Sequence, residues 1–565
     1  MGRSAGEGLG APLRRVIPVA QHGRLRRLGA AVLLALAAVP LLWTAFEALK
    51  TGGNTAAWRA LAQEPALAQA ALLTLWTGLA STLLAWWGAA ELLARGFVRQ
   101  RLARLLRGLP LMLATPHAAL AIGFLFLLAP SGWLLRALSP WLTGFDSPPP
   151  WPTTQDPWGL GLIAALVIKE IPFLLWTAAT QLQRDDVRQR WRAEHALAQT
   201  LGYAPRRAFW LVLWPQLSTR LRWPLLAVLA YGLTVVDMAL VIGPASPPTL
   251  AVLAWQWLQD ADPDTYAQGA TAGVLLTLMV LACGALWLAA QRLQRKALAH
   301  GRGLRGSPAR AQGTDTGLWL LVGVYAAVLL ALAVGSISGV WAFPAVWPQR
   351  FTTAAWQQVA QSSGTVFTTL WLAAGSSAIA LVWSVAWLEL APRRWDETLR
   401  PLLYLPLVLP AVLWVVGLYG VGLQLRLEGQ ASGLLIAHTL MVLPYVLLAL
   451  SPAYLGFDPR YAQLNASLGR SGRAFLLRVK WPLLKRSLAS AAAVGFAVSV
   501  AQYLPTLYVG AGRFATVTTE AVTLASGGQR SLTSAYAGLQ LALPVLAFAL
   551  AAWLGRPRRF RNTSA

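Results

Sequence analysis

The chain has 565 residues, 56% hydrophobic and 12% charged, about half the charged fraction of a soluble globular protein. A mean hydropathy of +0.53 excludes a soluble multidomain protein. The net charge of +26 does not indicate nucleic-acid binding, because the basic residues sit in short connectors between apolar runs.

In chain order, residues 1–27 read as a cytoplasmic tail. Apolar runs able to cross ~30 Å of hydrocarbon follow at 28–49, 66–94, 108–129, 159–180, 223–243 and 268–290. Residues 291–316, rich in Arg, Gly, Ala and Gln, read as a flexible cytoplasmic linker. Six more runs follow at 317–339, 364–390, 401–423, 432–453, 487–509 and 534–554, and 555–565 is a second tail. The first run leads into eleven others and shows no convincing cleavage site, so it reads as a span and not a removable signal. Lipid-exposed backbone must satisfy its own hydrogen bonds, and the short alternating strands of a barrel are absent. The predicted fold is therefore an all-α polytopic membrane protein with about twelve transmembrane helices.

Connectors on one side, with both tails, hold 39 Lys and Arg and those on the other hold seven, which predicts cytoplasmic termini and an even number of spans. Trp133, Trp141, Trp151 and Trp158 flank outer span ends and Trp214, Trp223 and Trp481 inner ones, as interfacial anchors do. Cys283, the single cysteine, rules out an internal disulfide and a four-cysteine metal site, and reads as a small core residue.

The chain repeats itself. Leu201-Gly202, Arg206, Val212, Trp214 and Pro215 recur 267 residues later as Leu468-Gly469, Arg473, Val479, Trp481 and Pro482. With other offsets, Leu73-Thr74-Leu75-Trp76 resembles Thr368-Thr369-Leu370-Trp371, and Ile171-Pro172-Phe173 resembles Leu443-Pro444-Tyr445. Two halves, 28–290 and 317–554, thus carry six predicted spans each in the same orientation, a parallel repeat.

The connectors after the fourth span of each half read as helix, Gly, helix. Apolar residues are expected along one face: Ala198, Leu201, Phe209 and Leu213 in one copy, Leu464, Leu468, Phe475 and Val479 in the other. The pattern resembles the EAA loop of ABC importer permeases, with the Gly at Gly202 and Gly469 and the closing Pro at Pro215 and Pro482. The fused arrangement is similar to iron(III) and thiamine importer permeases. The sequence departs from the motif where Glu-Ala-Ala would begin, with Ala196-Leu197-Ala198 and Gln463-Leu464-Asn465, and Glu194 lies two residues early.

The resemblance implies a type I importer permease of the bacterial inner membrane, coupled to two copies of an ABC ATPase and fed by an extracytoplasmic binding protein. It also implies that Ala198, Leu201, Gly202, Arg206, Phe209, Pro215, Leu464, Leu468, Gly469, Arg473, Phe475 and Pro482 form the coupling loops. Arg206 and Arg473 are expected to meet acidic groups on the ATPase or lipid phosphates. No lysine follows a glycine, so the chain lacks a P-loop. ATP and Mg²⁺ are expected on the partner, and no cofactor or catalytic residue on this chain. The five histidines, His22, His117, His195, His300 and His438, are scattered, with no metal-ligand cluster.

Lys169, Glu170, Asp237 and His438 fall inside predicted spans, where ionisable groups are costly. They read either as lining of a substrate path between the halves or as interhelical structural pairs, Lys169 with Asp237 for one. The outer connector 130–158, rich in Pro and Trp, is either a contact for the binding protein or a passive surface. The alternative to an importer is a secondary active transporter of two six-helix halves, which needs no matched pair of elbows. Iron, thiamine or another small solute are the substrates that the resemblance suggests.

Overall fold

The computed structural model describes residues 19–98, 109–182, 185–299 and 316–556. Among them the regular elements are helical, apart from one isolated bridge between Ser338 and Phe351. The first half runs α1 (Val19–Gly52), α2 (Thr55–Gln63), α3 (Leu67–Val98), α4 (Leu109–Ala114), α5 (His117–Leu128), α6 (Trp133–Leu138) and α7 (Leu160–Leu182). It continues with α8 (Asp185–Thr200), α9 (Pro205–Ala208), α10 (Trp214–Arg220), α11 (Arg222–Thr234), α12 (Asp237–Ile242), α13 (Leu250–Trp257) and α14 (Pro263–Ala299). The second half runs α15 (Thr316–Ser336), α16 (Ala354–Gln361), α17 (Ser363–Leu390), α18 (Arg393–Leu403), α19 (Leu405–Val408), α20 (Ala411–Gln424) and α21 (Ala431–Leu455). It ends with α22 (Arg460–Ser467), α23 (Gly472–Phe475), α24 (Trp481–Leu483), α25 (Lys485–Val500), α26 (Leu504–Val509), α27 (Val517–Ala525) and α28 (Arg530–Leu554).

The duplication reaches individual bonds. The 267-residue offset relates α9 to α23, the π-helical turns Phe209–Leu213 and Leu476–Lys480, α12 to α26, and the starts of α13 and α14 to those of α27 and α28. The backbone N–H of Leu250, opening α13, donates to the Thr74 hydroxyl at 2.8 Å, and that of Val517, opening α27, to the Thr369 hydroxyl at 2.9 Å. Each bond ties the same two elements of its half and satisfies a helix-terminal N–H. Pro116 separates α4 from α5 as Pro410 separates α19 from α20.

Among the described residues, nine helices are long and apolar enough to cross a membrane, or eleven if each of two bent pairs is one span. The runs at 223–243 and 487–509, expected as continuous spans, are broken. In the first half α11 ends at Thr234 and α12 starts at Asp237; in the second α25 ends at Val500 and α26 starts at Leu504. Hydropathy does not register these breaks, since the residues bridging them are apolar or uncharged. A break inside a span frees carbonyls that a neighbour must satisfy. In the second half the Thr518 hydroxyl donates to the freed Val500 carbonyl and itself accepts from Gln540 Nε2 at 2.8 Å. Helix α14 extends to Ala299, so the start of the expected linker is helical. Residues 300–315, with His300, and the tails at 1–18 and 557–565 lie outside the described residues.

The first helix of each half crosses to the other. Helix α1 packs on α20 and α17 of the second half, and α15 on α5 of the first. The Trp383 indole N–H donates to the Leu33 carbonyl at 3.0 Å, and the Tyr325 hydroxyl to that of Ile168 at 3.3 Å. Ala37 and Leu41 of α1 lie in the core of the second half, and Tyr325, Val328 and Leu332 of α15 in that of the first. Glycines permit these crossings, because van der Waals approach and not hydrophobic exclusion drives association in lipid. A Cβ on Gly417 would overlap the Thr44 carbonyl oxygen, and one on Gly123 would press on Val328. Gly417→Ala is expected to destabilise the purified protein by about 1–3 kcal/mol, the usual cost of overpacking. Thermal unfolding in detergent measures it, and an unchanged melting point would rule out this tight contact between α1 and α20.

Candidate coupling elbows and interior polar cluster

Both connectors after α7 and α21 fold into elbows of one design. Gly202 has φ +89° and Gly469 φ +65°, the left-handed conformation that glycine adopts without strain. Each terminates its helix in a Schellman closure. The N–H of Gly202 donates to Gln199 O at 2.9 Å and that of Tyr203 to Ala198 O at 3.1 Å; Gly469 donates to Ala466 O at 2.9 Å and Arg470 to Asn465 O at 3.1 Å. The second arm then starts at Pro205 or Gly472, widens into the π turn and resumes with Pro215 or Pro482 in its first turn.

The apolar residues expected on a single face divide between two. In the first elbow Ala198, Phe209 and Leu213 are buried, whereas Leu201 is 55% exposed. In the second, Leu464 and Leu468 are 60% and 62% exposed while Phe475 is half-buried against Phe457. The reason is the sharp turn at the glycine, which a continuous helical wheel ignores. On the first arm of each elbow a matched pair one turn apart stays outward: Leu197 with Leu201, and Leu464 with Leu468. Leu197 was not singled out from the sequence, although it stands in register with Leu464.

The arms are fastened internally. Arg206 pairs with Glu91 of α3 at 2.8 Å, and Arg95 holds the other oxygen of that carboxylate at 2.6 Å. Arg206 therefore fastens the second arm to α3 within the chain, while Arg473 stays exposed. In the second half Glu389 of α17 takes Lys480 at 2.8 Å and the Tyr454 hydroxyl at 3.0 Å. Glu194 bridges the first elbow's arms: it accepts from Arg190 at 2.8 Å and from Gln216 Nε2 at 2.6 Å, while Gln216 accepts from Trp191. Trp214, expected at the interface, is buried against Trp86 with ring centroids 4.5 Å apart.

Deep in the bundle the four candidate path residues separate. The Lys169 ammonium turns to the break between α4 and α5, donating to Thr115 O and, at 3.4 Å, to Met112 O, where a cation offsets the free carbonyls of a helix end. Its expected pairing with Asp237 is absent. His438 is 1% exposed and bonded on both nitrogens, to Ser499 at 2.9 Å and Thr506 at 3.0 Å, joining α21 to both pieces of the broken span. Glu170 and Asp237 instead gather with residues the sequence did not single out. Glu170 meets His117 Nε2 at 3.4 Å, His117 lies against the Tyr231 ring with centroids 4.3 Å apart, and the Tyr231 hydroxyl donates to Asp237 at 3.3 Å. Lining up the two halves of the chain would have flagged these positions, since their counterparts are apolar.

No family model matches the chain. An inner membrane ABC transporter permease protein of Escherichia coli K12, YnjC, is 35% identical over 541 residues, covering 93% of this chain and 96% of that protein. The chain belongs to the ABC importer permeases. Thiamine transport system permease proteins (ThiP) of Salmonella typhimurium LT2 and Escherichia coli K12 are 28% and 27% identical, over 81% and 82% of this chain and 84% and 85% of theirs. Full-length coverage means that both halves and both elbows fall within the similarity. The permease is thus a multi-pass inner membrane protein and the spanning subunit of an importer.

Proposed function

We propose that this permease couples to two copies of an ABC ATPase through its elbows, with both termini cytoplasmic. An extracytoplasmic binding protein delivers solute to the opposite end of the bundle. The units are the halves 28–290 and 317–554, with the solute path between them. ATP and Mg²⁺ belong to the partner. The observation that carries the reading is the pair of elbows, identical in closure and register, each presenting two bare leucines one turn apart. Such leucines lose water when they enter a groove on a partner. Closure of an ATPase dimer then moves both elbows, and the fastened arms pass that motion to the spans. Coupling requires that the elbows bind one ATPase state better than the other.

The thiamine permeases carry a substrate in their names and the relative at 35% identity carries none; together they support a small solute. The test is co-purification with ABC ATPases co-expressed from the same genome. Wild type is expected to retain one, and replacing Leu197, Leu201, Leu464 and Leu468 with serine to release it. Retention by the quadruple variant would refute docking through these leucines.

A further inference from the structure

The interior cluster is asymmetric in a protein that is otherwise duplicated. Its first-half members are His117, Glu170, Tyr231 and Asp237. The matching second-half positions, fixed by Pro116/Pro410, Pro172/Pro444 and the 267-residue offset, are Ala411, Val442, Val498 and Leu504. Val442 and Leu504 are buried at 0% and 5% exposure and pack well there. The second half therefore fills these four positions with apolar side chains, and the first half carries two carboxylates there at a cost that folding does not demand.

The second half supplies two tyrosines in return. Tyr503, at the break before α26, is 6% exposed; its hydroxyl makes no hydrogen bond among the described residues and lies within Coulombic reach of Asp237. Tyr445 of α21 is within the same reach of Glu170 and Tyr231, yet 38% of its surface is open. His117, Tyr231 and Asp237 are likewise partly open and not sealed in the core. The neighbouring Lys169 ammonium donates to the Thr115 and Met112 carbonyls and acts on Glu170 only through its field. Among the described residues the Glu170 carboxylate's one hydrogen-bond contact is the long one to His117.

We propose that His117, Glu170, Tyr231, Asp237, Tyr445 and Tyr503 form a binding station for a small organic cation at the junction of the halves. The proposal rests on the importer reading and adds the class of solute to it. Two carboxylates supply the charge, and tyrosine rings and hydroxyls supply faces and polar contacts for a delocalised or quaternary cation. A metal ion fits less well: among the described residues no three His, Cys, Asp or Glu converge on one point.

The test is calorimetric titration of the full-length permease, co-purified with its ATPase in nanodiscs, with benzyltrimethylammonium, benzyl alcohol and benzoate. Wild type is expected to bind the cation at least ten-fold more tightly than the neutral or anionic compound. Glu170→Gln combined with Asp237→Asn is expected to remove that preference. Equal or tighter binding of benzyl alcohol or benzoate by wild type overturns the station, whether or not the variant folds. So does a preference that survives the double substitution. Failure of wild type to hold the ATPase would strike the importer reading, whereas an intact complex with no cation preference strikes the station alone.

Discussion

With valine at both Gly202 and Gly469, transport is expected to stop while ATP hydrolysis continues. Both positions hold φ in the left-handed region, +89° and +65°, where a β-branched residue costs about 1–3 kcal/mol. Nothing lies within 4 Å of a Cβ at Gly469, so at that position the effect comes from backbone strain and not from a clash. Each elbow relieves the strain by opening its Schellman closure, which swings the exposed leucine pair away from the second arm. The spans lie elsewhere and keep their packing. Transport and ATPase rates measured on one proteoliposome preparation decide it. Wild-type transport in the double variant would mean that the elbows do not carry force.

Arg136→Ala is expected to be the most damaging single substitution at the far end of the bundle. That guanidinium is 3% exposed and donates to four carbonyls, those of Ser131, Trp341, Ala342 and Ala345, at 2.8–3.0 Å. Three of the four belong to the other half. The Trp341 ring covers it at 4.9 Å, and the Trp133 indole adds a parallel bond to Val346 O at 2.7 Å. Removing the side chain leaves Trp341 O without its donor and takes one of two donors from Ser131 O, Ala342 O and Ala345 O, which keep Arg530, the Ala345 N–H and the Trp341 indole. At about 1–3 kcal/mol for a buried group left unpaired, and with the packing on Trp341 lost as well, the loss is about 2–3 kcal/mol. Arg136→Lys is expected to fall between, because an ammonium cannot reproduce the planar fork. Melting temperatures of the three proteins in detergent rank them, and equal values would mean that the carbonyl nest is not structural.

Much of this was legible because the chain writes its plan twice. Gly202 and Gly469 announce two helix stops through a shared Leu before them and a shared Arg, Val and Trp after them, and Pro215 and Pro482 fix the register. Lys and Arg distribution and the apolar runs suffice for the fold class. Breaks inside the fifth span of each half were hidden, since Val235 and Val236 read as continuing helix to any hydropathy measure. Lys169 was placed in a span but not aimed, because the direction of a long side chain depends on which neighbour leaves carbonyls free. His117 looked isolated in sequence, and it meets Glu170 only when α5 lies beside α7. The exposed leucines mixed with buried ones because the turn at glycine resets which side faces inward.

The crossed first helices bear on how the protein is made. The bond from Trp383 to Leu33 closes over 350 residues. Ribosomes add about 5–20 residues per second, so α1 waits roughly 20–70 s in the bilayer before its resting place has been synthesised. During that interval its Gly417-facing side meets lipid or an insertion chaperone. Neither half can complete its core before the other has been inserted, because each core is filled in part by the other half's first helix.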